Sequence, residues 1–379
     1  MQTLDSSLDK LASSINQLEK KRTILGDSIS EIKDKLHFPF KDSDILEENF
    51  VSEIEPHSLK KIRVSAVDGG VVQSRYHGAS LVVGRAAAVV FDFKGGELVE
   101  TEYYPDSFPS PTPISFLNPI SSREFLAGTS IERSKLEIST AFKAIEKYKP
   151  DVMLLDGSII PHGMTRPEKS SEVYESYKEL IEMYIKLYDT ARKNNTLLAG
   201  VVEDSSGLRL THLLKEKVVP GIIESNEFSK KINTALESSK DILDKTNDSN
   251  TMYHILDTGE RSCVFTFSKD PKKHRILHDL DDWAESVNSF YLKSVEFDRP
   301  VRIDFLNRGR TKETADKIAS VVYALSRHNE TYGCPSILIE ADARAKLSEK
   351  DMDIVYQRLK DKVGDVPSLF KLRREFRPF

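Results

Sequence analysis

Only two cysteines, Cys263 and Cys334, occur in the 379 residues, far apart in the chain. That leaves neither a disulfide framework nor a metal knuckle, and both read as reduced core thiols of a cytoplasmic protein. Long apolar runs are missing as well. None approaches the roughly 18 residues of a spanning helix, and the charged, polar start lacks a signal-peptide core, so no membrane association is expected. There is no Walker P-loop, so the chain itself should not hydrolyse ATP through such a site, and any motor that drives it is another protein. A strong net charge is also absent: −5 argues against a protein coated all over in nucleic acid, while leaving room for a basic groove within an acidic exterior. No internal repeat and no clear interdomain linker interrupt the chain. With 39% hydrophobic and 30% charged residues it can bury a substantial core, which excludes a disordered polyelectrolyte.

What is present begins with a heptad seam. Leu4, Leu8, Leu11, Ile15, Leu18, Leu25, Ile29, Ile32 and Leu36 alternate in spacings of four and three, Arg22 fills the interrupted position, and Pro39 closes the run. Residues 1–40 are therefore expected as an amphipathic helix whose stripe needs a partner: another subunit, another protein, or the body of its own fold. Residues 41–379 form the remaining domain, with a helical insertion at about 165–260.

Two apolar runs end in Asp-Gly: Val64-Ser65-Ala66-Val67-Asp68-Gly69-Gly70 and Val152-Met153-Leu154-Leu155-Asp156-Gly157-Ser158. Each reads as a buried strand with an aspartate at its end and a glycine where the chain leaves the sheet. The simpler alternative is turn chemistry, with Asp bonding its local backbone and Gly supplying a left-handed residue. Between the two lie an Ala/Val-rich strand (79–93), a turn at Lys94-Gly95-Gly96, and a segment, 105–120, whose five prolines suggest an irregular loop. A helix from about Ile131 to Tyr148 follows. At about 100° per residue, Ile131, Ser134, Ile138, Ala141, Phe142 and Ile145 define its buried side. Glu137 sits on the flank of that stripe, whereas Glu132 and Glu146 lie well away from Ala141. A carboxylate at the edge of a buried face is costly unless paired with a cation or metal, which singles out Glu137.

Further along, Val173–Ala191 reads as a helix and Thr196–Val202 as a strand. Residues 208–260 look helical and polar, with a loop at 245–250. The last third carries strands at 263–267, 290–295 and 301–306, then helices at about 312–326, 337–346 and 349–362.

The order strand-Asp, β-hairpin, helix-Glu, strand-Asp is how a ribonuclease-H-like α/β fold with a mixed sheet places metal ligands. Hard cations such as Mg²⁺ and Mn²⁺ prefer oxygen donors, and two of them roughly 4 Å apart can clamp the attacking and leaving oxygens of a phosphodiester. Asp68, Glu137 and Asp156 are the candidate set.

The motifs Val67-Asp68-Gly69-Gly70, Leu155-Asp156-Gly157-Ser158, Gly200-Val201-Val202-Glu203-Asp204-Ser205, Gly259-Glu260-Arg261-Ser262 and Tyr332-Gly333-Cys334-Pro335 leading to Glu340-Ala341-Asp342-Ala343-Arg344-Ala345 occur in this order. Together they resemble the NurA family of archaeal and bacterial DNA-end-processing nucleases, over about residues 60 to 350. The resemblance implies a ribonuclease-H-like core and a homodimer. It also implies Mn²⁺- or Mg²⁺-dependent 5′-to-3′ exonuclease and single-strand endonuclease activity on DNA, in end resection and double-strand break repair with a HerA-type hexameric ATPase. By motif position it assigns Asp68, Glu137 and Asp156 to the metal and Tyr332 to the active site. Asp342 stands where the family pattern has His and is a possible further ligand; Glu203-Asp204 stands where it has Lys-Asp.

Other segments have competing readings. His274 and His278 could ligate a metal, but Pro271, Lys272, Lys273 and Arg275 suggest a solvated basic segment. Gly259-Glu260-Arg261-Ser262 could equally be an internal Glu–Arg or turn contact. The basic and aromatic tail, residues 370–379, could grip phosphates and stack bases or simply dock. Two other classes are a DNA-binding scaffold that has lost its chemistry and an actin-like ATPase. The latter would need Gly-rich phosphate hairpins in two halves, and only Lys94-Gly95-Gly96 comes close.

Overall fold

The computed structural model describes residues 4–37, 44–76, 79–117, 120–225 and 227–364; Pro39 and the 370–379 tail fall outside them. In chain order the helices are α1 (Leu4–Ser30), α2 (Ser122–Tyr148), α3 (Tyr174–Lys193), α4 (Arg209–Leu213), α5 (Val219–Ser225), α6 (Lys230–Ser239), α7 (Asp248–Tyr253), α8 (Thr311–Ser326), α9 (Ser336–Ala345) and α10 (Glu349–Val363). The strands are β1 (Val51–Glu53), β2 (Lys61–Arg75), β3 (Ser80–Lys94), β4 (Glu97–Tyr104), β5 (Thr112–Phe116), β6 (Val152–Asp156), β7 (Leu197–Val202), β8 (Glu260–Ser262), β9 (Phe265–Thr266), β10 (Val287–Lys293) and β11 (Val301–Leu306). The chain divides into two compact units, one of residues 1–57, 201–269 and 287–335, the other of residues 58–200, 270–286 and 336–379.

The second unit carries a mixed sheet in the order β4-β3-β2-β6-β7, the ribonuclease-H-like arrangement. β2 and β3 pair antiparallel along their whole length, from Lys61↔Lys94 to Arg75↔Ser80. β4 and β5 both pair antiparallel with β3. β6 returns parallel to β2, with Val64↔Val152 through Val67↔Leu155 in register. A parallel return needs a crossover, and α2 supplies it. That helix starts earlier than its apolar stripe suggests, because Ser121 and Glu124 form a reciprocal capping box, a feature worth about 1 kcal/mol. It packs across β2 and β3, and α3 packs on α2.

Asp68 is not at a strand end. β2 runs through it for a further seven residues, to Arg75. The glycines after it are there for close packing rather than for a turn. A Cβ on Gly69 would stand 3.3 Å from Cβ of Glu137 on α2, and one on Gly70 would stand 2.4 Å from the Ala345 carbonyl of α9. Neighbouring residues of a strand point to opposite faces, so α2 covers one face of β2 and α9 the other. A strand buried on both sides reads as a continuous apolar run, which is why 64–67 shows no alternation.

The proline-rich segment is also more ordered than expected: Thr112–Phe116 forms β5, with Pro113 opposite Val83. Among the described strands β5 pairs with β3 alone, so it is an edge strand, the place in a sheet where proline is tolerated.

The first unit contains an antiparallel sheet, β1-β8-β10-β11, with β9 also on β10. Its core gathers Leu25, Ile29, Ile32 and Leu36 with Leu210, Leu213, Leu236, Leu243 and Met252. The seam of α1 thus splits: its second half is docked in its own unit, and Leu4, Leu8, Leu11 and Ile15 are exposed. Gly26 permits the docking, since a Cβ there would lie 2.2 Å from Cβ of His254. The expected loop at 245–250 is partly helical, as Asn247 caps α7 by accepting from the Asn250 N–H. Among the described residues no helix is long and apolar enough to cross a membrane.

Candidate active site

Parallel pairing of β2 with β6 sets Asp68 beside Asp156, and α2 brings Glu137 over Gly69. Asp68 and Glu137 are 4% and 7% exposed, while Asp156 at the end of β6 is partly open. One turn before Glu137 on the same helix face, Arg133 reaches all three. Its Nη2 lies 3.2 Å from Asp68 Oδ1, 3.8 Å from Asp156 Oδ2 and 4.0 Å from Glu137 Oε2. Its Nε donates to the Gly69 carbonyl, and the Gly69 N–H donates to Asp68 Oδ1 at 2.6 Å.

The electrostatics follow from burial. Loss of water pushes the Glu137 carboxyl well above its ordinary value; Arg133 pulls it back, and the charges of Asp68 and Asp156 push it further up. Burial opposes the charge on Arg133, but Glu137, Asp68 and Asp156 together outweigh it and raise the guanidinium. Tyr184 of α3 backs the cluster: burial raises its hydroxyl, Glu137 raises it further, and Arg133 opposes.

The donor set suits a hard divalent cation, being three carboxylates that already surround a positive charge. Among the described residues no three His, Cys, Asp or Glu side chains converge closely enough to hold an ion as they stand. These three carboxylates are instead spread around a guanidinium.

Of the five residues expected from sequence, Asp68, Glu137 and Asp156 come together. Asp342 is exposed on α9 and is not among the acidic groups around Arg133. Near it, Arg344 donates to Glu340 at 2.6 Å and lies over the rings of Phe108 and Tyr103 at 4.6 and 4.9 Å. Tyr332 belongs to the first unit, where its hydroxyl donates to the Glu203 carboxylate at 3.1 Å and is raised by burial and by neighbouring Cys334 and Glu203. Sequence reasoning passed over Arg133 and Tyr184. The signal for Arg133 was its i,i+4 spacing to Glu137.

The other candidates have structural partners. The His274 ring accepts from the N–H groups of Ile276 and Leu277 and so caps a turn; burial, then His278, lowers its pKa. His278 lies beside Asp279 and Arg166. Arg261 is fully buried between Glu47 and Asp316, and Glu260 pairs with Lys33, so the Gly-Glu-Arg-Ser segment makes internal contacts.

No curated sequence relative matches at a significant level. The crystal structure of the NurA nuclease from Sulfolobus solfataricus is similar in fold, with 15% identity and a TM-score of 0.58 over 96% of this chain and 99% of that one. A NurA structure bound to dAMP and manganese matches at 11% identity and a TM-score of 0.46, over 97% of this chain and 99% of that one. An endonuclease V from Bacillus subtilis matches at 13% identity and a TM-score of 0.34, over 81% of this chain and 86% of that one. The model of the NurA domain matches residues 62–347, and the chain belongs to the NurA family.

Proposed function

We propose that the protein is a divalent-metal-dependent DNA nuclease, with 5′-to-3′ exonuclease and single-strand endonuclease activity. The observation that carries this reading is the meeting of Asp68, Glu137 and Asp156, from two adjacent parallel strands and the helix above them, around a single cationic nitrogen. These three would hold Mn²⁺ or Mg²⁺, and manganese is the cation in one solved NurA structure. Such a cation supplies positive charge against the negative charge that develops on a phosphoryl oxygen.

The chain's own residues set the terms. Asp68 accepts from the Gly69 N–H on backbone covered by a helix on each face, which orients its carboxylate before any substrate arrives. Glu137 is buried, which pushes its carboxyl above the ordinary range, so a cation bound there competes with a proton. Asp156, the more open of the three, stands on the side from which a phosphodiester can approach. Asp342 and Tyr332 are the further catalytic candidates from the family motif. The biological setting that fits the family is DNA end resection in the cytoplasm, as a homodimer working with a HerA-type ATPase.

The test is purified protein with labelled single-stranded DNA and Mn²⁺, beside Asp68→Asn. Cleavage by the wild type alone is the expected result. Failure of the wild type across metals and pH, or cleavage retained by the variant, would overturn the assignment. Light scattering of the protein alone, then mixed with a HerA-type ATPase, examines the two assemblies.

A further inference from the structure

Carboxylate chemistry alone leaves Arg133 unexplained. Its Nη2 sits 3.2 to 4.0 Å from oxygens of all three acidic side chains. A divalent ion would need those same oxygens at about 2.1 Å, in the same space. Two cations cannot share that centre, since both compete for the same lone pairs and repel each other.

We propose that Arg133 is a resident counter-cation that a divalent ion must displace, so that this guanidinium sets the metal affinity of the site. The proposal rests on the metal reading given above. Three features support displacement over permanent anchoring. The contacts are longer than the roughly 2.7–2.9 Å of a firm charge-assisted hydrogen bond, and none forms a two-pronged fork on a carboxylate. The side chain is 38% exposed, so a path to solvent is open. The tie from Nε goes to the neutral Gly69 carbonyl rather than to a carboxylate, so breaking it as the planar guanidinium swings outward strands no charge. Displaced towards solvent, the guanidinium would stand at the rim of the cluster, where it suits a phosphate oxygen.

Calorimetric titration of Mn²⁺ into the wild type, Arg133→Gln and Arg133→Lys is the test, with the Mn²⁺-induced rise in melting temperature as a second readout. Arg133→Gln should bind Mn²⁺ about tenfold more tightly than the wild type, equivalent to about 1.4 kcal/mol, and show the larger rise in melting temperature. Arg133→Lys keeps a cation but loses the Nε tie to Gly69, so its affinity should fall between the two; it decides the matter if the Gln variant does not fold. Equal or weaker Mn²⁺ binding by either folded variant would overturn the proposal, and Arg133 would then be a positioning residue that holds the ligands. No Mn²⁺ binding by the wild type or either variant would overturn the metal reading itself, a different and recognisable result.

Discussion

Two arginines in this molecule stand among acidic side chains, and they are held in opposite ways. Arg261 on β8 is 0% exposed. Its Nη1 and Nη2 donate to the two oxygens of Glu47 at 2.6 and 2.7 Å, and its Nε and Nη2 donate to Asp316 at 2.8 and 2.5 Å. The remaining Nη1 proton goes to the Ser262 carbonyl at 2.9 Å. Every donor of the fork is used, and the guanidinium itself has no access to water, although Asp316 is 32% exposed. Arg133 instead touches three carboxylates at the longer distances given above, from a position open to water. Full satisfaction with no solvent access marks an ion pair that holds a fold together, because removing one partner strands the other's charge. Partial satisfaction with a route to water marks a charge that another cation can replace.

Changes on either side of this contrast have different expected effects. The largest is on chemistry: Asp68→Asn should lower cleavage by at least roughly 10²–10³-fold, the scale of losing one preorganised hydrogen-bond donor and so to background in the labelled-DNA assay, with a near-native melting curve. If activity survives, the open cluster is not the centre of reaction. Next, Arg261→Met should cost about 3–5 kcal/mol in denaturant unfolding, since the buried Glu47 carboxylate is left facing a thioether, while Asp316 keeps Lys312 and some access to water. A cost below about 1 kcal/mol would erase the distinction between the two arginines.

Glu137→Gln sharpens the comparison through pH. The folded carboxyl titrates above its ordinary 4.5, so the native state binds the proton more tightly than the unfolded chain does. Stability from this group is therefore present at low pH and lost as pH rises from that ordinary value through the folded one. Melting temperatures followed from about pH 4 to about pH 8 should lose that decline in the Gln variant, leaving it the more stable protein at the upper end. An unchanged slope would mean that another group carries it. The smallest effect is expected for the exposed Asp342→Ala, within about 0.5 kcal/mol in stability and well short of Asp68→Asn in lost cleavage. Equal loss in the two variants would bring Asp342 into the cluster.

Much of this could be read from the chain before any coordinates. The two Asp-Gly strands, the buried stripe of α2 and the position of Glu137 on its flank all follow from period and burial, and they led to the three carboxylates that meet. The same local logic misread Gly69 and Gly70, because a glycine before a turn and a glycine under a packed helix look identical in sequence. What decides is whether Glu137 or Ala345 lies above it, which is tertiary information. Pro113 misled for a related reason: proline argues against a strand only where a partner needs its N–H. Arg133 was legible in principle, one turn from Glu137, yet on a helix rich in charge only the sheet beneath distinguishes it from an ordinary surface ion pair.

The parallel pairing of β2 with β6 also has a consequence for the order in which the molecule assembles. The β2–β3 hairpin joins residues close in sequence and can close early, whereas the bond from the Arg63 N–H to Asp151 bridges 88 positions. Long-range closure of that kind is slow, because loop entropy is lost before the contacts form. Asp68 lies on the early side of that event, and Asp156 lies on the strand that docks across it. A chain that has made only its hairpin therefore holds one carboxylate of three, and the cluster around Arg133 is complete only with the finished sheet.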